Sequence, residues 1–168
     1  YYSVLSFFIL SLLNISGIRL FNSLNLSMTL VSGGGFLPTN SLNDMITTNT
    51  QKFILIFSLL ISLFNFYLLF NIFNKKLFFK NHREDFYILL LLFILIMFVF
   101  FNNYELLDIV INVVSSLANS GITLINEENN LSLFFLFITF IGGSLISNTS
   151  GIKLTRFYIL LKVTSAEI

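Results

Sequence analysis

The chain has 168 residues, of which 56% are hydrophobic and only 10% charged, with a net charge of +1 and no cysteine. A soluble domain is roughly 45–50% apolar and about 25% charged, so this balance excludes a soluble enzyme or a nucleic-acid-binding module and indicates a chain solvated by lipid. The lack of cysteine removes disulfide frameworks and thiolate metal sites.

The sequence opens on Tyr1 and stops at Ile168 without a polar tail, and is read as a piece of something longer. Nothing at its start has the charged n-region and small-residue cleavage site of a signal peptide. Heavy use of Phe, Ile, Leu and Asn fits an AT-rich genome, which discounts the Asn-x-Ser triplets at Asn14, Asn25 and Asn130.

In chain order, residues 1–14 form a first apolar run, expected to be a membrane span whose beginning lies outside the sequence. Residues 18–30 follow as a short, moderately apolar helix, 31–37 as a small-residue loop containing three consecutive glycines, and 52–73 as a long apolar span. Residues 75–85 are a charged loop; the lone His82 sits there among Arg83, Glu84 and Asp85 and is read as solvated. The pattern then recurs: an apolar span at 86–102, a short helix at 104–117, a polar loop at 118–123, and an apolar run at 131–152 interrupted by Gly142 and Gly143. A helix of ~12 residues is only ~18 Å long, against a hydrocarbon core of ~30 Å. The two short helices therefore enter the membrane without crossing it.

Charge placement sets the topology. Lys75, Lys76, Lys80 and Arg83 in one loop and Lys153, Arg156 and Lys162 after the last span make up seven of the nine basic residues. The positive-inside rule puts both clusters in the cytoplasm, which holds only if the short helix at 104–117 enters and returns on the outer side. Asp44, Glu105, Asp108, Glu127 and Glu128 then lie outside, either concentrating cations at a pore mouth or forming an ordinary solvated surface. The copies also align: with Gly35 over Gly121, Leu20 falls on Leu106, Asn22 on Asp108, Thr29 on Ser115 and Asn40 on Asn126.

Irregular backbone at membrane depth is tolerated only where it is buried in protein or lines a water-filled cavity, so a re-entrant loop implies a lumen. A cation such as K+ in a narrow pore must exchange its waters for other oxygens, and a short extended loop supplies carbonyls without burying full charges. Ser32, Gly33, Gly34 and Gly35 in the first loop, and Ala118, Asn119, Ser120 and Gly121 in the second, have the small, polar composition this needs. Each follows a helix C-terminus whose partial negative charge favours a cation. The competing reading of 33–35 is a plain flexible turn. Further on, Gly142, Gly143, Ser144, Ser147, Asn148, Gly151 and Lys153 mark a stretch of glycine, hydroxyl and amide residues where helix is disfavoured. Composition alone favours a simple helix end anchored by Lys153 and Arg156 over a mobile plug.

At these residues the sequence resembles the TrkH/TrkG and Ktr membrane subunits of the Trk/Ktr/HKT superfamily of K+ transporters. The run from Phe140 to Phe157 is similar to the signature F-I-G-G-x-x-G-S-T-G-G-G-I-K-x-x-R, matching at Phe140, Ile141, Gly142, Gly143, Ser147, Gly151, Ile152, Lys153 and Arg156. Residues 27–38 resemble the family's second pore loop and 114–123 its third, across nearly the whole chain. The resemblance implies an all-α integral membrane fold of four repeats, each helix, pore helix, filter loop and helix. Residues 1–74 would be most of the second repeat and 86–162 the third, with first and fourth missing. It implies K+ uptake, with Na+ or Rb+ as possible companions, through filter carbonyls at 32–35 and 118–121, and a gating loop around 142–153.

Also implied are no catalytic site, no covalently bound cofactor, a TrkA- or Ktr-type cytosolic nucleotide-binding regulator, a homodimer of the full-length protein, and a multi-pass place in the bacterial inner membrane. Ile146, Asn148, Thr149 and Ser150 depart from the signature, and Gly33 and Asn119 replace filter-loop Thr. A membrane subunit of a proton-translocating respiratory complex is the alternative of a different class. It is disfavoured because such subunits need ionisable groups at mid-membrane, and here every charged residue can be placed at a span end or in a loop.

Overall fold

The computed structural model describes residues 2–39, 41–64, 83–101, 104–124 and 131–167. Among them lie α1 (Tyr2–Ile15), α2 (Leu20–Ser32), α3 (Asn49–Leu63), α4 (Arg83–Phe100), α5 (Leu106–Ala118), α6 (Leu131–Thr139) and α7 (Leu154–Glu167). Two very short strands, β1 (Ile141–Gly142) and β2 (Ile152–Lys153), pair in parallel, Ile141 opposite Ile152 and Gly142 opposite Lys153. The expected basic residues Lys75, Lys76 and Lys80, His82, Asn40, and Asn126 to Glu128 lie outside the described residues.

Each pore-helix-like segment leans on the helix beside it. α1 packs on α2 and α3 on α5, so the central layer runs through both halves of the chain. Leu55, Leu59 and Leu63 recur every four residues on one face of α3 and are fully buried, the spacing that brings successive turns over one another. They pack in one core with Leu26 and Leu30 of α2 and Ile109, Val113 and Leu117 of α5. α5 is buried all round from Ile111 to Ala118, whereas α2 keeps Leu20, Phe21, Leu24 and Met28 exposed. Asp108, Asn112, Ser115 and Ser116 nonetheless share one face of α5 by their helical spacing, and the last three are buried.

The start of α3 is fixed by a capping box. The Thr48 hydroxyl accepts from the Gln51 N–H while the Gln51 Oε1 accepts from the N–H of Thr47 and Thr48. Two of the N–H groups that a helix start leaves unpaired are thereby satisfied. Gln51 also donates through Nε2 to the Ser16 carbonyl at 3.1 Å, tying this cap to the end of α1. α3 ends at Leu63, with Phe64 extended at φ −81° and ψ 163°; positions 65–73 of the span read from the sequence lie outside the described residues.

Among the described residues no helix is long and apolar enough to cross a membrane. Two of the runs read as spans show local reasons. α4 has 18 residues but begins with Arg83, Glu84 and Asp85, so the helix starts three residues before the apolar run read at 86. The apolar run at 131–152 gives only the nine residues of α6 before the chain leaves the helix at Phe140. Asp85, read as the end of the charged loop at 75–85, is 4% exposed.

The acidic group expected outside is partly neutralised. Lys52 Nζ lies 2.5 Å from Asp108 Oδ1 and 3.4 Å from Glu105 Oε2, joining the first turn of α3 to the start of α5. Asp108 is therefore an anchor between the two halves, and the cation-gathering role expected of it is reduced. Both partners are mostly shielded, so the pair should exceed the ~0–1 kcal/mol of an exposed one. A double-mutant cycle of Lys52→Met and Asp108→Asn in the full-length parent is expected to give a coupling of about 1–2 kcal/mol by thermal unfolding. A coupling indistinguishable from zero would show the contact to be incidental.

Candidate functional site

The two glycine-bearing loops have the same local construction. α2 and α5 are both 13 residues long, and each is closed by a left-handed residue, Gly33 at φ 67° and Asn119 at φ 55°. Asn is the side-chain-bearing residue that best tolerates this region, which explains why the second loop can do without glycine there. Gly33 and Gly34 N–H groups both donate to the Thr29 carbonyl, at 2.9 and 3.2 Å. In the second copy Asn119 N–H donates to the Ser116 carbonyl and Ser120 N–H to that of Ser115, both at 3.1 Å. Two residues after each cap a second left-handed position follows, Gly35 at φ 69° and Gly121 at φ 66°.

One side chain in each copy then ties the loop back to its helix. Thr29 Oγ1 donates to the Phe36 carbonyl at 2.6 Å, and Ser115 Oγ to the Ile122 carbonyl at 2.5 Å. Ser115 Oγ also accepts from the Ile122 N–H at 3.1 Å. Both hydroxyls are buried, where a hydrogen bond is strong and its loss costs more. Asn112 extends the arrangement, its Oδ1 accepting from the Leu124 N–H at 2.9 Å. Sequence reading singled out none of these three as functional. The pairing of Thr29 with Ser115 between the copies was the trace.

The two loops meet. A methyl group on Gly35 would lie 2.8 Å from the Ser120 carbonyl oxygen and 3.8 Å from the Gly121 Cα, and one on Gly33 3.7 Å from the Ala118 carbonyl. Of the residues read as site candidates, Ser32, Gly34 and Gly121 are exposed, Gly33, Gly35 and Asn119 half-buried, and Ala118 and Ser120 buried. Gly121 also borders a cavity of about 360 Å³ whose polar lining comes from Asn112, Ser115, Ser116, Thr123, Ser132 and Thr139.

The third candidate segment lies against both helix ends. From Phe140 the chain runs through β1, a turn-rich loop over 143–151, and β2, so that Ile152 N–H donates back to the Phe140 carbonyl at 2.9 Å. The loop's amides reach the end of α3: Ser144 N–H donates to the Leu63 carbonyl at 3.3 Å and Asn148 N–H to the Ser62 carbonyl at 3.2 Å. Those carbonyls belong to the last turn, which has no partner within its own helix. Asn148 Nδ2 donates to the Val31 carbonyl at the end of α2, and Asn119 Nδ2 to the Ser150 carbonyl at 3.2 Å. Gly142 and Gly143 are buried because backbone passes where a Cβ would sit: 2.3 Å to the Ser150 oxygen from the first, 2.4 Å to the Leu63 oxygen from the second. Lys153 returns into the loop and donates to oxygens of Ser147 and Thr149.

This arrangement has a solved counterpart. The crystal structure of the potassium transporter TrkH from Vibrio parahaemolyticus superposes with a TM-score of 0.79 over 97% of this chain and 38% of that one, at 22% identity. The chain has the TrkH fold. In sequence it is 31% identical over 166 residues, 94% of its length, to an uncharacterized cation transporter of Methanocaldococcus jannaschii, and it spans 33% of that protein. No family model matches the chain. This chain covers a little over a third of the solved TrkH chain, and the three candidate segments converge in that part. Both relatives are named as transporters rather than enzymes.

Proposed function

We propose that this chain is part of a multi-pass membrane protein that carries K+ through a pore, with 32–35 and 118–121 contributing to its filter. The observation that supports this most strongly is the apposition of two identically built helix-and-loop units, with Gly35 against the Ser120 carbonyl. Their relationship to a cation transporter and the TrkH fold give the ion its class, and TrkH names potassium. K+ shedding its waters needs carbonyl oxygens held at fixed spacing. In this reading Thr29 and Ser115 hold the filter loops indirectly, because each ties the residue after the filter, Phe36 or Ile122, back to its helix. The C-terminal ends of α2 and α5 add partial negative charge. Rb+ fits the same site, and Na+ is the ion against which preference is measured.

The loop over 142–153 is the gate in this proposal. Its hydrogen bonds to Ser62, Leu63, Val31 and Asn119 hold it beneath the filter loops, each contributing ~1 kcal/mol. That total is small enough for a few kcal/mol from a partner to release it, which is the range in which two-state switches operate. A cytosolic nucleotide-binding regulator of TrkA or Ktr type is the proposed source, acting on a homodimer in the bacterial inner membrane.

The test is rescue of a K+-uptake-deficient bacterium on low-potassium medium by the full-length parent gene, with Rb+ uptake followed in the same cells. Growth with Rb+ uptake is the expected result. With expression and insertion confirmed, absence of both alongside the cognate regulator would reject cation transport.

A further inference from the structure

Lys153 sits in an unusual setting for a lysine. Its Nζ lies 3.0 Å from Ser147 Oγ, 3.0 Å from Thr149 Oγ1 and 3.3 Å from the Ser147 carbonyl oxygen, and also donates to the Thr149 carbonyl. Four neutral oxygens, two carbonyl and two hydroxyl, converge on one monovalent cation. Among the described residues no carboxylate pairs with Nζ, and the neighbouring charge, Arg156, is positive.

The hydroxyls are arranged to accept from the cation. Ser147 Oγ donates to the Ser144 carbonyl at 2.7 Å, and Thr149 Oγ1 accepts from the Gly143 N–H at 2.8 Å. Ser147 Oγ and Thr149 Oγ1 stand 2.9 Å apart, so each can turn a lone pair toward Nζ. An ammonium has three N–H donors, one fewer than the oxygens offered. The cradle thus presents oxygen as a cation site does, in excess of the donors available. Oxygen ligands of this hard, neutral kind are those that replace water around K+, and an ammonium resembles K+ in charge and size.

We propose that Ser147 and Thr149 form a K+-type monovalent cation site within this loop, and that Lys153 fills it as a tethered cation. Its ammonium holds 147–153 closed as a bound ion would, without requiring one from solution. Removal of the charge opens the site to free K+, Rb+ or Tl+. This site stands on the loop's own geometry. Only its consequence for transport rests on the gating reading above.

The test is the structure of the full-length parent carrying Lys153→Met, which keeps an apolar stem, crystallised in Tl+ for its anomalous signal. A Tl+ peak in coordination contact with the Ser147 and Thr149 oxygens, absent from the unsubstituted protein and lost again in Ser147→Ala/Lys153→Met, is expected. An empty cradle in the variant, whether the loop stays compact or moves, would overturn the proposal, as would the same peak in the unsubstituted protein. If Lys153→Met does not fold, Lys153→Gln carries the same test, supported by a rise in melting temperature with Tl+ over Li+ larger than in the parent. Rb+ uptake by the same variant separates the two ideas: a Tl+ peak with unchanged uptake keeps the site and removes the loop as a gate.

Discussion

Gly35→Ala in the full-length parent is expected to lower the preference for K+ over Na+ at least tenfold, and by more than Gly121→Ala. Both glycines hold left-handed backbone, φ 69° and 66°, so either substitution incurs roughly 1–2 kcal/mol of strain. Their surroundings differ. The new methyl at 35 lies 2.8 Å from the Ser120 carbonyl oxygen, whereas at 121 the nearest atom, the Gly35 Cα, is 3.9 Å away. A contact of 2.8 Å with backbone is relieved only by moving one loop off the other, an overpacking cost of roughly 1–3 kcal/mol. A change of ~1.4 kcal/mol between two ions is tenfold in their ratio, so displacement of one carbonyl ring is enough. Competition of Na+ against Rb+ uptake measures it. Equal effects at the two positions would mean that the loops do not meet in the assembled pore as they do here.

Much of the architecture is legible in the sequence because it rests on local chemistry. The short helices at 20–32 and 106–118 end where Gly33 and Asn119 stand, residue types suited to left-handed backbone, and the fixed spacing from each cap to Gly35 or Gly121 gives the loops their common shape. The helix break after Thr139 is likewise foreshadowed by paired glycines and a run of hydroxyl and amide side chains. Long-range contacts leave no such mark. Nothing in the composition places Lys52 beside Asp108, since the charged residues of α3 and α5 are dozens of positions apart. Gln51 shows its capping role but hides its bond to Ser16, and Asp85, sited in a charged run, ends buried. Thr29 and Ser115 are instructive in another way. As one hydroxyl among many in an apolar helix each is unremarked alone, and only their equivalence between the copies hints at the shared bond to the following loop.

The second large effect is expected at Gly143. Alanine there should raise Rb+ uptake roughly 10-fold or more in the full-length parent while making it less dependent on the regulator. Gly143 does not hold left-handed backbone, so the argument is one of space: the methyl would sit against the Leu63 carbonyl oxygen, 2.9 Å from Thr149 Oγ1 and 3.0 Å from Ser147 Oγ. The hydroxyls can turn aside, but the carbonyl is fixed in the last turn of α3. The loop must therefore lift from that helix end, giving up the bonds from Ser144 and Asn148 to Leu63 and Ser62. At ~1 kcal/mol each, their loss together with the contact shifts the loop's balance by about 2–3 kcal/mol, and every 1.4 kcal/mol is a factor of ten. Asn148→Ala gives up only the side-chain bond to Val31 and should raise uptake by a smaller factor. Membrane-inserted Gly143→Ala protein with uptake at or below that of the parent would rule out this loop as the barrier, since the same displacement would then have opened nothing.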